Sequence, residues 1–264
     1  MNKSYLKQML SYFSKVYQLG EKIKRLKDGR LSPQIETSTI SFIVLFAFIC
    51  RLRSFNRLEH WLEKGRFKNL FPKKTRLPHI DAIRRSLSSF DIDSLHDMHD
   101  HIIKTIFKNK VFRNGTIDDI KVAAIDGVEM TGMDMKVRFI RFVEEIYDVE
   151  DKKESKEVWI VTTNKSICAE TLWKIIHKRW DIENNVFHQL KTECHFDHCY
   201  LHSPTGIEAT VGFMIIAFNL TQLYFFRNIR GFRKKDFLQI DIIEDLKDEM
   251  LLIKDWGNPI FNSA

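Results

Sequence analysis

"IKVAAIDGVEM", residues 120–130, is a short apolar run that stops at an Asp-Gly pair. Runs of this length and composition read as buried strands, and the pair reads as the turn that ends one. That places Asp126 at the carboxyl end of a strand, where open α/β folds gather their reacting groups, with Gly127 allowing close approach of a partner. An Asp in this position also serves as a plain turn former, so its role depends on what else the chain can bring to it.

Downstream, "KVRFIRFVEEIYDVE" (136–150) alternates like strands, and "EVWIVTTN" (157–164) is a further β-rich run. The segment "RWDIENNVFHQLKTE" (179–193) then sets Arg179, Glu183, Phe187 and Lys191 at helical spacing. On a regular α-helix Arg179 and Phe187 lie about 40° to either side of Glu183, and Lys191 about 80° away. One helix face therefore carries cation, acid, aromatic and cation. The bland alternative is a solvated face with an Arg–Glu pair worth a few tenths of a kcal/mol.

Upstream of the β-rich middle, apolar residues recur at helical spacing over about 5–27, 39–63 and 80–107, so the first 110 residues read as all-helical. Residues 1–80 hold 17 Lys and Arg against 5 Asp and Glu, while the whole chain carries a net +7. The cationic excess is therefore N-terminal. In "RLRSFNRLEHWLEKGRFKNLFPKKTR" (51–76) cations alternate with aromatics, a pattern suited to a phosphate backbone. Arg51, Arg53, Lys73, Lys74, Arg84 and Arg85 are the candidate DNA contacts. Two short helices joined near "SSFDID" (88–93), preceded by a basic helix, are compatible with a helix-turn-helix reader.

With 264 residues, 44% hydrophobic and 29% charged, the chain is globular in composition and long enough for a real core. Cys50, Cys168, Cys194 and Cys199 are too few and too scattered for a disulfide framework, which points to free thiols and a reducing, cytoplasmic setting. The N-terminal stretch lacks the apolar segment of a secretory signal. The apolar runs 40–50 and 211–226 are short for membrane spans and read as buried core helices, so no membrane partner is expected. "CHFDHCYLH" (194–202) offers zinc-type ligands, but without a CxxC pair its spacing suits a tetrahedral site poorly.

"VAAIDGVEM" followed by "HKRWDIENNVFHQLKTE" resembles the DDE transposases of bacterial insertion sequences, in the branch with a β-rich insertion before the final acid. The signature of that branch is Tyr, two residues, Arg, three residues, Glu, six residues, Lys. Arg179 and Glu183 match its spacing, Lys191 falls one residue late, and the Tyr position holds Ile176.

The resemblance implies an α/β chain whose RNase H-like catalytic core follows an N-terminal all-helical domain. It divides the chain into a helical, basic DNA-binding part (1–115), the core (116–230) and an acidic helical tail (231–264). It further implies Mg²⁺ held by Asp126 and Glu183, with Arg179 and Lys191 on the phosphates of transposon ends, and double-stranded DNA as substrate. A homodimer or an intact transposase is the expected protein partner.

Only 56 residues separate Asp126 from Glu183. Three more core strands, a helix and an insertion need more than that at roughly 5–6 residues per strand and 11–12 per helix. Asp134, Asp148 and Asp151 do not follow an apolar strand. The expectation is an internally deleted transposase without its second catalytic Asp. Such a chain is catalytically defective, or, in the alternative, a non-enzymatic DNA-binding remnant that inhibits an intact transposase.

Overall fold

The computed structural model describes residues 4–111, 137–147, 153–164, 166–232 and 238–252. The chain forms two compact units: residues 1–111 together with 188–264, and residues 112–187.

The first unit is helical. Helix α1 (Tyr5–Tyr17) buries Leu6, Met9, Leu10, Phe13 and Tyr17 along one stripe, and Gln18, in the left-handed region at φ 53°, stops it before α2 (Leu19–Lys24). The reading of 5–27 as one helix is thus corrected by a backbone break at a non-glycine residue, which periodicity does not register. Helix α3 (Thr37–Ile49) is apolar on all sides and buried from Ser38 to Ile49, as expected of a core helix. It ends near Arg51, itself at φ 53°, and α4 (Phe55–Glu63) restarts under a Ser54 cap that accepts from the Arg57 N–H at 3.2 Å.

Helices α5 (Ile80–Ser88) and α6 (Ile92–Lys108) follow, the second capped by Asp91. After residue 187, α8 (His188–Thr192) is one short turn and α9 (Pro204–Asn228) is the longest helix among the described residues. A Ser203 cap and Pro204 in its first turn start α9. It packs against α1, α3, α5 and α6. At 25 residues α9 is long and apolar enough to cross a membrane, longer than the 211–226 run suggested, but 61% of its apolar window is buried inside this unit. It is the central core helix.

Helix α10 (Gln239–Leu252) lies on α1. Its Glu249 carboxylate accepts from the Tyr5 and Leu6 N–H groups at 2.8 and 2.9 Å and from the Ser4 hydroxyl at 2.7 Å, filling donors that the first turn of a helix leaves open.

The second unit, as described, contains a hairpin and one long helix. Strands β1 (Arg138–Tyr147) and β2 (Lys153–Thr162) pair antiparallel, from Arg138 opposite Thr162 to Tyr147 opposite Lys153. Helix α7 (Ala169–Asp181) supplies Leu172, Trp173, Ile175 and Ile176, which pack with Ile140, Phe142, Val158 and Ile160 from one hairpin face. The Phe142 and Trp173 rings are 4.8 Å apart. The described chain is therefore a mixed fold, mostly helix with a two-stranded antiparallel sheet.

Candidate functional site

The residues assigned to chemistry lie in the second unit. Asp126 falls outside the described residues, as do Asp134, Asp148 and Asp151. Arg179 lies on the last turns of α7, and Glu183 is the second residue of a π-helical turn, Ile182–Phe187. The even 100° spacing that lines up residues 179, 183, 187 and 191 therefore does not apply, because an i→i+5 turn changes the phase. Such turns occur as single insertions in α-helices, often at functional sites. Ile176, at the Tyr position of the signature, is half-buried in the cluster between hairpin and α7. A branched apolar side chain fits that environment.

Among the described residues no three His, Cys, Asp or Glu side chains are gathered as a metal would require. The residues described do not by themselves make a fit for Mg²⁺. In "CHFDHCYLH" Cys194 is buried, which pushes its thiol up to about 11, and Cys199 Sγ lies 3.6 Å from His202 Nδ1. His198 stacks edge-on against Tyr200, whose ring packs between Phe48 and Phe55. All four cysteines are free thiols. The Cys168 thiol, hydrogen-bonded by Thr171 at the start of α7, is lowered by that contact.

The cationic candidates lie in the helical unit, and they differ in what they offer. Arg53, Lys73, Lys74, Arg85 and Lys191 are exposed. Arg84 is partly exposed with Asp81 at 3.6 Å. Arg51 is a correction: it is 8% exposed, ion-paired with Glu193 at 2.5 Å and hydrogen-bonded to Gln239 at 3.1 Å. Its charge is spent inside the unit. The cation-rich sequence around it gave no sign of this, because α8 and α10 reach it from far along the chain.

The structure adds cations that sequence reading missed. A cleft of about 800 Å³ opens between the 30–35 loop, α4 and the start of α5, with Arg30, Arg76, His79 and Arg85 on its walls. Asp28, buried behind the cleft, holds Arg30 in place. Its carboxylate accepts from the Arg30 N–H and Nε at 3.1 and 2.9 Å, the Thr37 hydroxyl at 3.0 Å and the Ser86 hydroxyl at 2.5 Å. Arg30 also donates to the Ile35 carbonyl, and Arg76 donates to Gln34 at 2.8 Å. Glu59 and Glu63 lie on the α4 wall, where Glu59 is 3.3 Å from His79. The only advance signal was a turn-forming Asp-Gly before Arg30 and a Lys-Lys run before Arg76.

The helix-turn-helix expectation meets an electrostatic objection. Helix α6, which would enter the groove, turns Asp93, Asp97 and Asp100 to solvent. An acidic face repels phosphates, which disfavours α6 as a groove-reading helix.

The described chain thus sets a hairpin and an acid-bearing helix next, in sequence, to a basic helical unit. The chain belongs to the DDE transposases: the family described as the transposase DDE domain matches residues 51–220, across parts of both units. No curated protein and no solved structure matches the chain.

Proposed function

We propose that this chain is a DNA-binding member of the transposase family of an insertion sequence whose RNase H-like catalytic core is incomplete. The observation that carries this reading is how the interval between the two acids is filled. Strands β1 and β2 and helix α7 take residues 138–147, 153–162 and 169–181, leaving only 127–137, 148–152 and 163–168 before Ile182. A further central strand bearing the second acid, a helix of about 11–12 residues besides α7, and their connections need more chain than those pieces hold.

Asp126 and Glu183 are the acids that remain of the three, and together they would hold Mg²⁺ weakly. The metal's part in the intact family is to activate an attacking oxygen and stabilise the leaving one. Arg179 and Lys191 are the residues for phosphates of the transposon end. One count supports Lys191 as the signature lysine: a π-helical turn takes one residue more than an α turn, and Lys191 stands one residue late. Duplex DNA elsewhere is held by Arg53, Lys73, Lys74, Arg84 and Arg85, with Arg76 added by the cleft. A cytoplasmic location goes with this reading.

Binding to duplex DNA as a function of salt, together with a cleavage and strand-transfer assay on transposon-end DNA with Mg²⁺ or Mn²⁺, tests the proposal. The expected result is steeply salt-dependent binding without cleavage. Cleavage that disappears in both Asp126→Asn and Glu183→Gln would show that the core is complete enough to work. The inhibitor reading is favoured by the same missing strands, and it requires that adding this chain lower the activity of an intact transposase on shared ends.

A further inference from the structure

Helix α3 begins with donors that nothing in the helical unit fills. Glu36, in the capping position, makes no side-chain hydrogen bond to the backbone there, and only the Thr39 and Ile40 N–H groups reach its carbonyl, at 3.1 and 3.3 Å. Among the described residues the N–H groups of Thr37 and Ser38 have no acceptor. The start of a 13-residue helix carries a partial positive charge, and open N–H groups at that end favour an anion. Here a built cleft adjoins the helix start.

That cleft, of about 400 Å³, has Lys24, Ser38, Thr39, Phe71 and Arg76 on its walls, and it shares Arg76 with the larger cleft described above. Thr39 is only 7% exposed, yet among the described residues its hydroxyl has no hydrogen-bond partner. A buried hydroxyl left in that state has lost its water without compensation, so the wall favours a ligand that accepts a hydrogen bond. Lys24 is exposed and makes no ion pair among the described residues. Arg76 gives one N–H to Gln34 at 2.8 Å, which steadies the guanidinium, and keeps its other donors. The acid on these walls is Glu36, whose carboxylate accepts from the Ser38 hydroxyl at 3.0 Å.

We propose that this cleft is a phosphate site, in which the first turn of α3 and the Thr39 hydroxyl donate to phosphate oxygens while Lys24 and Arg76 balance the charge. Backbone N–H, hydroxyl, ammonium and guanidinium donors suit a tetrahedral group with several acceptor oxygens, and charge-assisted bonds of this kind are the strong ones. The volume lies within the roughly 300–1,000 Å³ of ligand clefts, so part of the esterified group enters with the phosphate. A free phosphate monoester and a nucleic-acid backbone carry the same group. Glu36 is a built-in competitor, since its negative charge opposes an incoming anion. The assignment does not rest on the DNA-binding reading, because phosphate alone is enough to test it.

Calorimetric titration of the full chain at fixed ionic strength, with inorganic phosphate and with a nucleoside monophosphate, reads the site without DNA. Saturable binding is expected. Lys24→Gln should weaken it several-fold, and Lys24→Gln with Arg76→Gln about tenfold or more. Thr39→Val should also weaken it several-fold, whereas Thr39→Ser, which keeps the hydroxyl, should bind as the wild type does. Glu36→Gln should tighten it. Lys104→Gln removes the same charge from an exposed position on α6 and should change nothing. Duplex DNA titrated into Thr39→Val identifies the source: a loss of affinity places a backbone phosphate in the cleft, and wild-type affinity leaves the cleft to a free monoester. The proposal is overturned if none of the three probes binds, if Thr39→Val binds all of them as the wild type does, or if Lys104→Gln weakens binding as much as Lys24→Gln. Should Thr39→Val fail to fold, the two lysine variants decide, since both positions are exposed.

Discussion

Arg51 and Glu193 form an ion pair inside the helical unit, joining the end of α3 to the end of α8, while the same guanidinium reaches Gln239 at the start of α10. Gln239 in turn exchanges hydrogen bonds with Gln222 on α9. Three helices thus meet at one cation, with α9 joined through Gln239. Removing one member of a buried pair leaves the other uncompensated, and the Glu193 side chain is 35% exposed, which moderates the loss. Arg51→Gln should cost about 1–3 kcal/mol in urea unfolding.

The same substitution separates structure from binding. Because Arg51 faces inward, Arg51→Gln should leave the slope of log affinity against log salt for duplex DNA unchanged. Lys73→Ala with Lys74→Ala should lower that slope by roughly 1–2 while leaving stability within about 0.5 kcal/mol. A slope that falls with Arg51 would mean that the guanidinium leaves Glu193 to meet DNA.

Asp28 carries the next prediction. Its carboxylate gathers donors from the 28–30 loop, α3 and α5, and its side chain is 1% exposed. Asp28→Ala strands the Ser86 and Thr37 hydroxyls and unties Arg30, and should destabilise the chain by about 2–3 kcal/mol. Arg30→Met removes one partner only and should cost less. Thermal unfolding of the two variants checks the order.

Acidification should loosen the helical unit. Burial lowers the pKa of His99, beside Asn219, Asp100 and His96, and of His101, which faces Lys22, Arg25 and Glu21. The unfolded chain therefore binds more protons than the folded one between the lowered values and the ordinary 6.5. Stability from these histidines is full above 6.5 and is lost as pH falls below it. The melting temperature should drop from pH 7 to pH 5, and His99→Gln should shrink that drop. An unchanged drop would exclude His99 as a contributor.

Glu249 is a remote helix cap. Glu249→Gln keeps one hydrogen-bonding oxygen but loses the charge at the start of α1, and Glu249→Ala loses both. Costs of about 0.5–1 and 1–2 kcal/mol are expected, with amide exchange at Tyr5 and Leu6 rising in step.

What could be read from the sequence followed from local physics. The apolar stripe Leu6, Met9, Leu10, Phe13 and the all-apolar "ISFIVLFAFIC" are set by helical repeat and burial alone, and they became α1 and α3. The alternation of 136–150 became β1. Features that depend on distant chain were not legible. The inward turn of Arg51 needs Glu193 and Gln239, the burial of the Asp28 carboxylate needs Ser86 from α5, and the π-helical turn at Glu183 leaves no mark in side-chain type. For the candidate site, a family signature nominates residues, while their phase and burial could not be read.

The way α9 covers α3 has a consequence for biogenesis. Ribosomes make the chain from its N-terminus, so α3 emerges with its all-round apolar surface well before Pro204–Asn228 exists to enclose it. At roughly 5–20 residues per second that interval is of the order of ten seconds or more. During that time the nascent chain is a natural client for holdase chaperones, and an early stop between the two helices would yield a product destined for proteolysis rather than a stable fragment.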